Sequence, residues 1–467
     1  MPSYNNQIMS THTSNDNEPA ALPMNFTGNA GRGNADIKIP AQISPNSSLN
    51  EILAFARQQK ASDVHLGTLK PIIFRQFGKL KNITAEILNE DQINHLITAA
   101  LPKDLLEHVD QTGDAEYVHS INGFGRYRMA IMKQRNGWDL TARVIPIEIP
   151  KFENTGMPAS CASLTKWAQG LVLISGPAGC GKTTTLAALV EMINQSRHDH
   201  IITIEEPIEI VYEPKQCQIT QREIKMHTLS QANALRAALR EDPDILVVSE
   251  LRDLNSIQLA VSAAETGHLV FGTMNTVNAI QTISCIIDSF PAEEQSIIRN
   301  MISESLRGVI CQQLVPTKDG KGMVPAYEVL IVTPPIANLI RSNKMSQINN
   351  AIITSKSSGM ILMDTSLEML AKQNIISKEE ASERAISSST MLQSIQGRTI
   401  TKIKFLEAAS NKENILNELI QVGVLEEIAP TEFRLKPGAN ITPEALKMIA
   451  KEDFYKIGTI LNQLSQP

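Results

Sequence analysis

The chain has 467 residues, more than a single hydrophobic core accommodates, so two to four domains are expected. Hydrophobic residues make up 42% and charged residues 20%, the balance of an ordinary globular protein rather than a fibrous or disordered one. A net charge of −6 argues against a generic nucleic-acid binder, which carries a basic excess, so no direct nucleic-acid partner is expected.

Residues 1–47 are rich in Asn, Ser, Thr, Gly and Pro and cannot bury enough apolar area to offset their ordering entropy; they read as a disordered tail. The tail lacks a basic stretch followed by an apolar one, so no signal peptide is expected. Ser47-Ser48-Leu49-Asn50-Glu51-Ile52 has a serine cap ahead of helically spaced apolar residues and predicts a helix start. Short strand-like runs follow at Asp63–Leu66, Ile72–Arg75, Arg126–Ile131 and Leu140–Ile145. Residues 48–149 thus read as a small mixed α/β domain, and Pro146, Pro150 and Pro158 mark a linker.

From Gly170 the pattern changes to uninterrupted apolar strands alternating with helices. The strands are Leu171–Ile174, Ile201–Ile204, Ile245–Val248 and Leu269–Gly272, and they imply a parallel sheet covered on both faces over 150–290. Beyond Pro291 the chain reads as mostly helical: Glu293–Gln313, Pro335–Ser342, Ser366–Gln373 and Lys378–Ala385. Residues 386–467 form a separate end piece. A helix at Asn414–Ile420 and a hairpin at Gly423–Ile428 and Thr431–Gly438 fit either a winged-helix-like module or a helical tail. No apolar run approaches the roughly 18 residues of a membrane span, so membrane association has to go through a partner. The five cysteines, Cys161, Cys180, Cys217, Cys285 and Cys311, form no C-x-x-C pair. They predict reduced thiols in a cytosolic setting and no zinc site.

The first chemical signal is G-x-x-x-x-G-K-T at Gly176, Pro177, Ala178, Gly179, Cys180, Gly181, Lys182 and Thr183, with Thr184 following. It sits between a predicted strand and a predicted helix, the context a phosphate-binding loop needs. Its glycines let backbone N–H groups close around a phosphate chain. Lys182 reaches the β- and γ-phosphates, the Thr183 hydroxyl ligates Mg²⁺, and the helix adds its positive end. The expected ligands are therefore a nucleotide and Mg²⁺. Ligands of an open parallel sheet sit beyond the carboxyl ends of its strands, where Glu205, Glu206 and Glu250 stand. Glu250 is the candidate that activates water, and Glu205 shapes the metal and water site. Asn275, after the strand at 269–272, can donate to a γ-phosphate as a sensor but cannot shuttle a proton. The small domain offers Arg126, Arg128, Arg135 and Arg143 as transition-state cations, with Arg135 and Arg143 the chosen candidates.

Ala263-Ala264-Glu265-Thr266-Gly267-His268-Leu269-Val270-Phe271-Gly272-Thr273 resembles the PilT-like retraction ATPases of type IV pili, in the secretion-ATPase superfamily. So do Phe290–Glu294, Leu239–Asp244 and Ala61–Leu66. The resemblance spans about 48–385 and implies a fold class: an N-terminal PAS-like α+β domain, a RecA-like P-loop ATPase core and a helical C-terminal region. It further implies a homohexameric ring with ATP between subunits. Such a ring works in the cytoplasm, peripherally on the inner membrane, against a pilus platform protein and alongside a second pilus ATPase. Assembly relatives are similar to one another in a four-cysteine zinc module that is missing here. Pro335–Ser342 partly matches the retraction type's Ala-Ile-Arg-Asn-Leu-Ile-Arg-Glu.

The departures lie around the nucleotide. Glu206 stands for the family's Asp, Ser249 for Gly, Asn275 for His, and Ala337 and Ser342 for the Arg and Glu of the retraction motif, while Lys182, Thr183, Glu205 and Glu250 are kept. Two readings follow: a motor powering pilus retraction, or a nucleotide-binding accessory subunit of a pilus, secretion or conjugation system with weak hydrolysis.

Overall fold

The structure, a computed structural model, describes residues 39–386 and, beyond them, 399–401, 405–406, 413–429, 432–435 and 442–465. The expectation of a tail falls almost wholly outside these residues.

The first unit comprises α1 (Leu49–Gln58), β1 (Asp63–Gly67), β2 (Pro71–Gln76), β3 (Lys79–Ile87), α2 (Glu90–Ala100), α3 (Lys103–Thr112), β4 (Asp114–Ile121), β5 (Gly125–Gln134) and β6 (Gly137–Val144). Helix α1 starts where expected: the Ser48 hydroxyl accepts from the Glu51 N–H, and the Glu51 carboxylate accepts from the Ser48 N–H, a reciprocal cap. The six strands form one antiparallel sheet in the order β3-β2-β1-β6-β5-β4. Its core gathers Leu53, Phe74, Ile93, Tyr127 and Met129. Register places Arg75, Asp63, Arg143 and Arg128 opposite one another on successive strands, so these four share one sheet face.

The second unit comprises β7 (Gly170–Ser175), α4 (Lys182–Ser196), β8 (His200–Glu205), β9 (Gln218–Glu223), α5 (Gln231–Ala238), β10 (Ile245–Val248), α6 (Leu254–Glu265), β11 (Leu269–Met274), α7 (Ala279–Asp288), α8 (Gln295–Ser305), β12 (Leu306–Pro316), β13 (Met323–Ile331), α9 (Pro334–Arg341), α10 (Ile348–Thr354), α11 (Met363–Lys372) and α12 (Lys378–Arg384). Its sheet has seven strands in the order β13-β12-β7-β11-β10-β8-β9, parallel except for β13. Every residue of β7, β10 and β11 is buried. Two apolar clusters account for this, one on each face of the sheet, as an uninterrupted apolar strand requires.

The helical reading of the segment after Pro291 needs correction. Helix α8 ends at Ser305, and residues 306–331 are not helical: β12 pairs parallel with β7, and β13 folds back on β12. Val309-Ile310-Cys311 is a buried run whose lack of periodicity suits a covered strand or a buried helix equally. The β-branched pair and the Lys318-Asp319-Gly320 turn decide for the strand. Edge strand β9, half-buried and polar, is an addition to the four parallel strands expected.

Beyond α12, the described residues hold β14 (Thr399–Thr401), α13 (Glu413–Gln421), β15 (Leu425–Ala429), β16 (Glu432–Leu435), α14 (Pro443–Ala450) and α15 (Phe454–Ser465). The strands make a three-stranded sheet in the order β14-β16-β15 with its own apolar cluster, including Phe405, Leu416, Phe433 and Ile457. A helix and a hairpin therefore do occupy this stretch. Among the described residues no helix is long and apolar enough to cross a membrane.

Candidate active site

The loop Gly176–Thr183 joins the carboxyl end of β7 to the start of α4 at the middle of the sheet. Gly176 is required by close approach: a Cβ there would stand 2.2 Å from the Gln312 carbonyl oxygen on β12, and φ is +147°. Gly181 caps α4 with φ +94°, which brings the next residues into the first helical turn. Pro177, Ala178 and Gly179 form the exposed crest, Thr183 is exposed on the first turn of α4, and Thr184 is half-buried beside it.

Gln312, buried on β12, braces the loop from beneath. Its Nε2 donates to the Cys180 carbonyl at 2.7 Å, and its Oε1 accepts from the Thr185 hydroxyl at 2.5 Å. Sequence reasoning missed this residue because it assigned the segment to a helix. Cys180 is buried in the loop, and burial pushes its thiol up, so it acts as packing rather than as a nucleophile.

Lys182 spends all three ammonium hydrogens locally, on the Gly176 carbonyl at 2.7 Å, the Pro177 carbonyl at 3.1 Å and Asn275 Oδ1 at 2.8 Å. Burial lowers its pKa; the charges of Cys180 and Glu250 oppose that, and the charge of Arg143 adds to it. Asn275 turns its Nδ2 to Glu250 Oε1 at 2.5 Å, and Arg252 Nη2 holds Glu250 Oε2 at 2.6 Å. The Gln231 amide donates to the Glu250 carbonyl at 2.9 Å. One hydrogen-bonded chain thus runs Lys182–Asn275–Glu250–Arg252 across the ends of β7, β11 and β10. The structure brings together three residues that the sequence singled out and adds Arg252.

Glu205 ends β8. Its Oε1 accepts from the Thr203 hydroxyl at 2.6 Å and from Gln221 Nε2 at 3.0 Å. Burial pushes its carboxyl up to about 7, partly opposed by those two hydrogen bonds. Glu206 pairs with Lys225 at 2.9 Å. The exposed Thr183 hydroxyl and the strand-end carboxylates Glu250 and Glu205 are hard oxygen donors, the ligand type that Mg²⁺ takes.

The arginines divide. Arg126 Nη1 donates to the Glu209 carbonyl at 2.9 Å, and Arg128 Nη1 pairs with Glu209 Oε1 at 3.1 Å while its Nε pairs with Glu116. These two turn the small domain's arginine face toward the core. Burial lowers the Arg126 pKa against the charges of Glu223, Glu205 and Glu209. Arg143 lies on the same face, paired with Asp63 at 3.0 Å. Arg135 is exposed in the turn between β5 and β6. Neither Arg135 nor Arg143 has a hydrogen bond to the phosphate loop within the chain.

The chain matches the family described as type II/IV secretion system protein over residues 42–381. It is 42% identical over 337 residues to the type IV pilus retraction ATPase PilT of Pseudomonas aeruginosa, covering 72% of this chain and 98% of that protein. A twitching motility protein of Neisseria gonorrhoeae is 40% identical, over 72% of this chain and 89% of that one. The crystal structure of the pilus retraction motor PilT with bound ADP superposes with a TM-score of 0.66 at 38% identity, over 74% of this chain and 98% of the other. With a family match over most of its length and a phosphate loop built on a mostly parallel sheet, the chain belongs to the type II/IV secretion system protein family.

Proposed function

We propose that this protein is an ATP-hydrolysing motor that powers retraction of a type IV pilus. The observation that supports it is the Lys182–Asn275–Glu250–Arg252 chain laid across three strand ends beside a phosphate loop. In this reading ATP lies on Gly176, Pro177, Ala178, Gly179, Cys180, Gly181, Lys182, Thr183 and Thr184. Thr183 supplies the hydroxyl that holds Mg²⁺, which when bound adds positive charge against the phosphates. Glu250 orients the attacking water and takes its proton, Glu205 stands behind it as the second carboxylate, and Asn275 is the sensor. Arg135 and Arg143 complete the site from a neighbouring subunit of a homohexamer, for which Arg143 exchanges Asp63 for phosphate.

The division of the chain is part of the same proposal. Residues 48–149 form a PAS-like domain, and 150–290 form a RecA-like core whose sheet also takes in 306–331. The rest of 291–385 is helical, and 386–467 is an added module. The ring works at the cytoplasmic face of the inner membrane on a platform protein, with a second pilus ATPase as a further partner.

Steady-state phosphate release tests the mechanism. Lys182→Ala and Glu250→Gln are each expected to lose at least about 10²-fold, the usual cost of removing a catalytic group, and unchanged rates would overturn the assignment. Deleting the gene in its host gives the direction of force: accumulated pili for a retraction motor, lost pili for an assembly motor. The accessory-subunit reading draws on Asn275, which clamps both Lys182 and Glu250 where relatives place a histidine. Tight ATP binding with negligible turnover, raised strongly by Asn275→His, would establish that reading instead.

A further inference from the structure

Glu328 is a carboxylate in an unusual place. It sits on β13, 3% exposed, well away from the phosphate loop in sequence. Its Oε1 accepts from the Ala279 N–H at 2.7 Å, and its Oε2 accepts from the Met363 N–H at 3.2 Å. Ala279 is the first residue of α7, and Met363 is the first residue of α11. One side chain therefore closes the amino ends of two helices, using the free N–H groups and the positive end that each helix offers.

The two helices belong to different parts of the mechanism. Helix α7 follows the sensor strand: Asn275 lies four residues before Ala279. Between them, the Thr276 hydroxyl bonds the Thr282 hydroxyl at 2.7 Å. Thr282 in turn donates to Ser175 Oγ at 3.1 Å, on the last residue before the phosphate loop. The first turn of α7 is thus tied to the loop's root. Helix α11 belongs to the C-terminal helices, and Asp364 in its first turn accepts the Ile386 N–H at 2.8 Å, where the core runs into the added module.

An apolar pair at this spot would join the two elements without the desolvation penalty of a buried carboxylate. What a carboxylate adds is direction. It fixes the two helix starts relative to one another through two specific backbone contacts, and removing either donor leaves an oxygen unsatisfied.

We propose that Glu328 is a positioning residue that couples the first turn of α11 to the loop carrying Asn275. The C-terminal helices thereby set the Lys182–Asn275–Glu250 chain. The inference rests on the hydrolytic reading of that chain, and Lys182→Ala, which loses turnover whether or not the coupling exists, tests that reading separately.

The experiment uses the full chain. Glu328→Gln keeps the shape and one acceptor oxygen but turns an NH₂ group toward one of the two N–H donors. Loss of about one charge-assisted hydrogen bond of positioning corresponds to roughly tenfold in kcat for ATP hydrolysis, with KM for ATP within about twofold. Hydrogen exchange at the Ala279 amide is expected to quicken in the same variant. The decisive measurement is the double substitution with Asn275→Ala. If Glu328 acts through Asn275, the pair loses no more kcat than the worse single variant. Losses that multiply, or a kcat unchanged in Glu328→Gln, overturn the coupling.

Should Glu328→Gln fail to fold, Met363→Pro removes the α11 donor, and Met363→Ala controls for the buried side chain lost with it. Proline is accepted at a first helical position, and Leu362 before it already has the extended φ of −82° and ψ of 152° that proline demands. A kcat loss beyond that of Met363→Ala supports the coupling, and a kcat no lower than that control's refutes it.

Discussion

Glu205 gives the most direct test of the site's electrostatics. Its carboxyl, 9% exposed, is pushed by burial from the ordinary 4.5 up to about 7. The folded pKa lies above the unfolded one, so the native state binds more protons between pH 4.5 and 7 and loses stability as pH rises through that window. A rise of about 2.5 units corresponds to roughly 3 kcal/mol when fully expressed, of which about 2.5 kcal/mol is lost between pH 5 and pH 8. Glu205→Gln keeps an oxygen to accept from Thr203 and Gln221 but cannot ionise. Other groups titrate alike in both proteins, so the difference between them isolates Glu205. Urea unfolding without nucleotide or Mg²⁺, at pH 5 and at pH 8, is the assay. The variant should nearly match the wild type at pH 5 and exceed it by about 2 to 3 kcal/mol at pH 8. Parallel pH slopes for the two proteins would show that Glu205 is not held in a desolvated site.

Gln312→Leu leaves the buried Cys180 carbonyl without its donor, at a cost of about 1–3 kcal/mol, and takes from the Thr185 hydroxyl one of its partners. Weakening of ATP binding by about tenfold or more is expected, with kcat at saturating ATP little changed; a lower kcat at unchanged affinity would contradict the bracing role. Arg126→Ala removes a half-buried guanidinium from the Glu209 carbonyl. Cleavage by added protease within the 145–158 connection should rise several-fold, and an unchanged pattern would show that this contact does not hold the small domain on the core.

Much of the site was legible because strand ends in a parallel sheet converge. Gly176–Thr183, Glu205, Glu250 and Asn275 each follow an apolar run whose register aligns with its neighbours, so the order of the strands hardly mattered. The small domain's strands at 126–131 and 140–145 were equally plain from their alternation. Illegible were the contributions of β12 and β13. Gln312 and Glu328 act only because these strands extend the sheet beside β7, a long-range pairing with no local signature. Arg252 was hidden differently: it lies two residues after Glu250, and nothing in its spacing separates a partner from a solvated charge.

Asn275 carries the sharpest consequence of the whole arrangement. Its Oδ1 accepts from Lys182 while its Nδ2 donates to Glu250, so one amide stands between the ammonium and the carboxylate proposed as the base. A phosphate arriving at Lys182 competes with Oδ1, because the other two ammonium hydrogens are taken by the carbonyls of the loop itself. Releasing the amide from Lys182 also frees it to turn away from Glu250, which would link nucleotide arrival to exposure of that carboxylate. Asn275→Asp separates the two contacts. The acceptor to Lys182 becomes charged as well, so a hydrogen bond from an ammonium to a neutral amide becomes a stronger ion pair. The donor to Glu250 is lost, and two carboxylates are brought together, which raises the pKa of the pair. ATP must then displace a carboxylate from Lys182, and its dissociation constant should rise about tenfold, as measured by equilibrium binding. Turnover at saturating ATP should fall as well, because the carboxylate proposed as the base loses its amide donor. An unchanged dissociation constant would mean that Lys182 reaches the phosphates without leaving Asn275, and the link between binding and the base would fail.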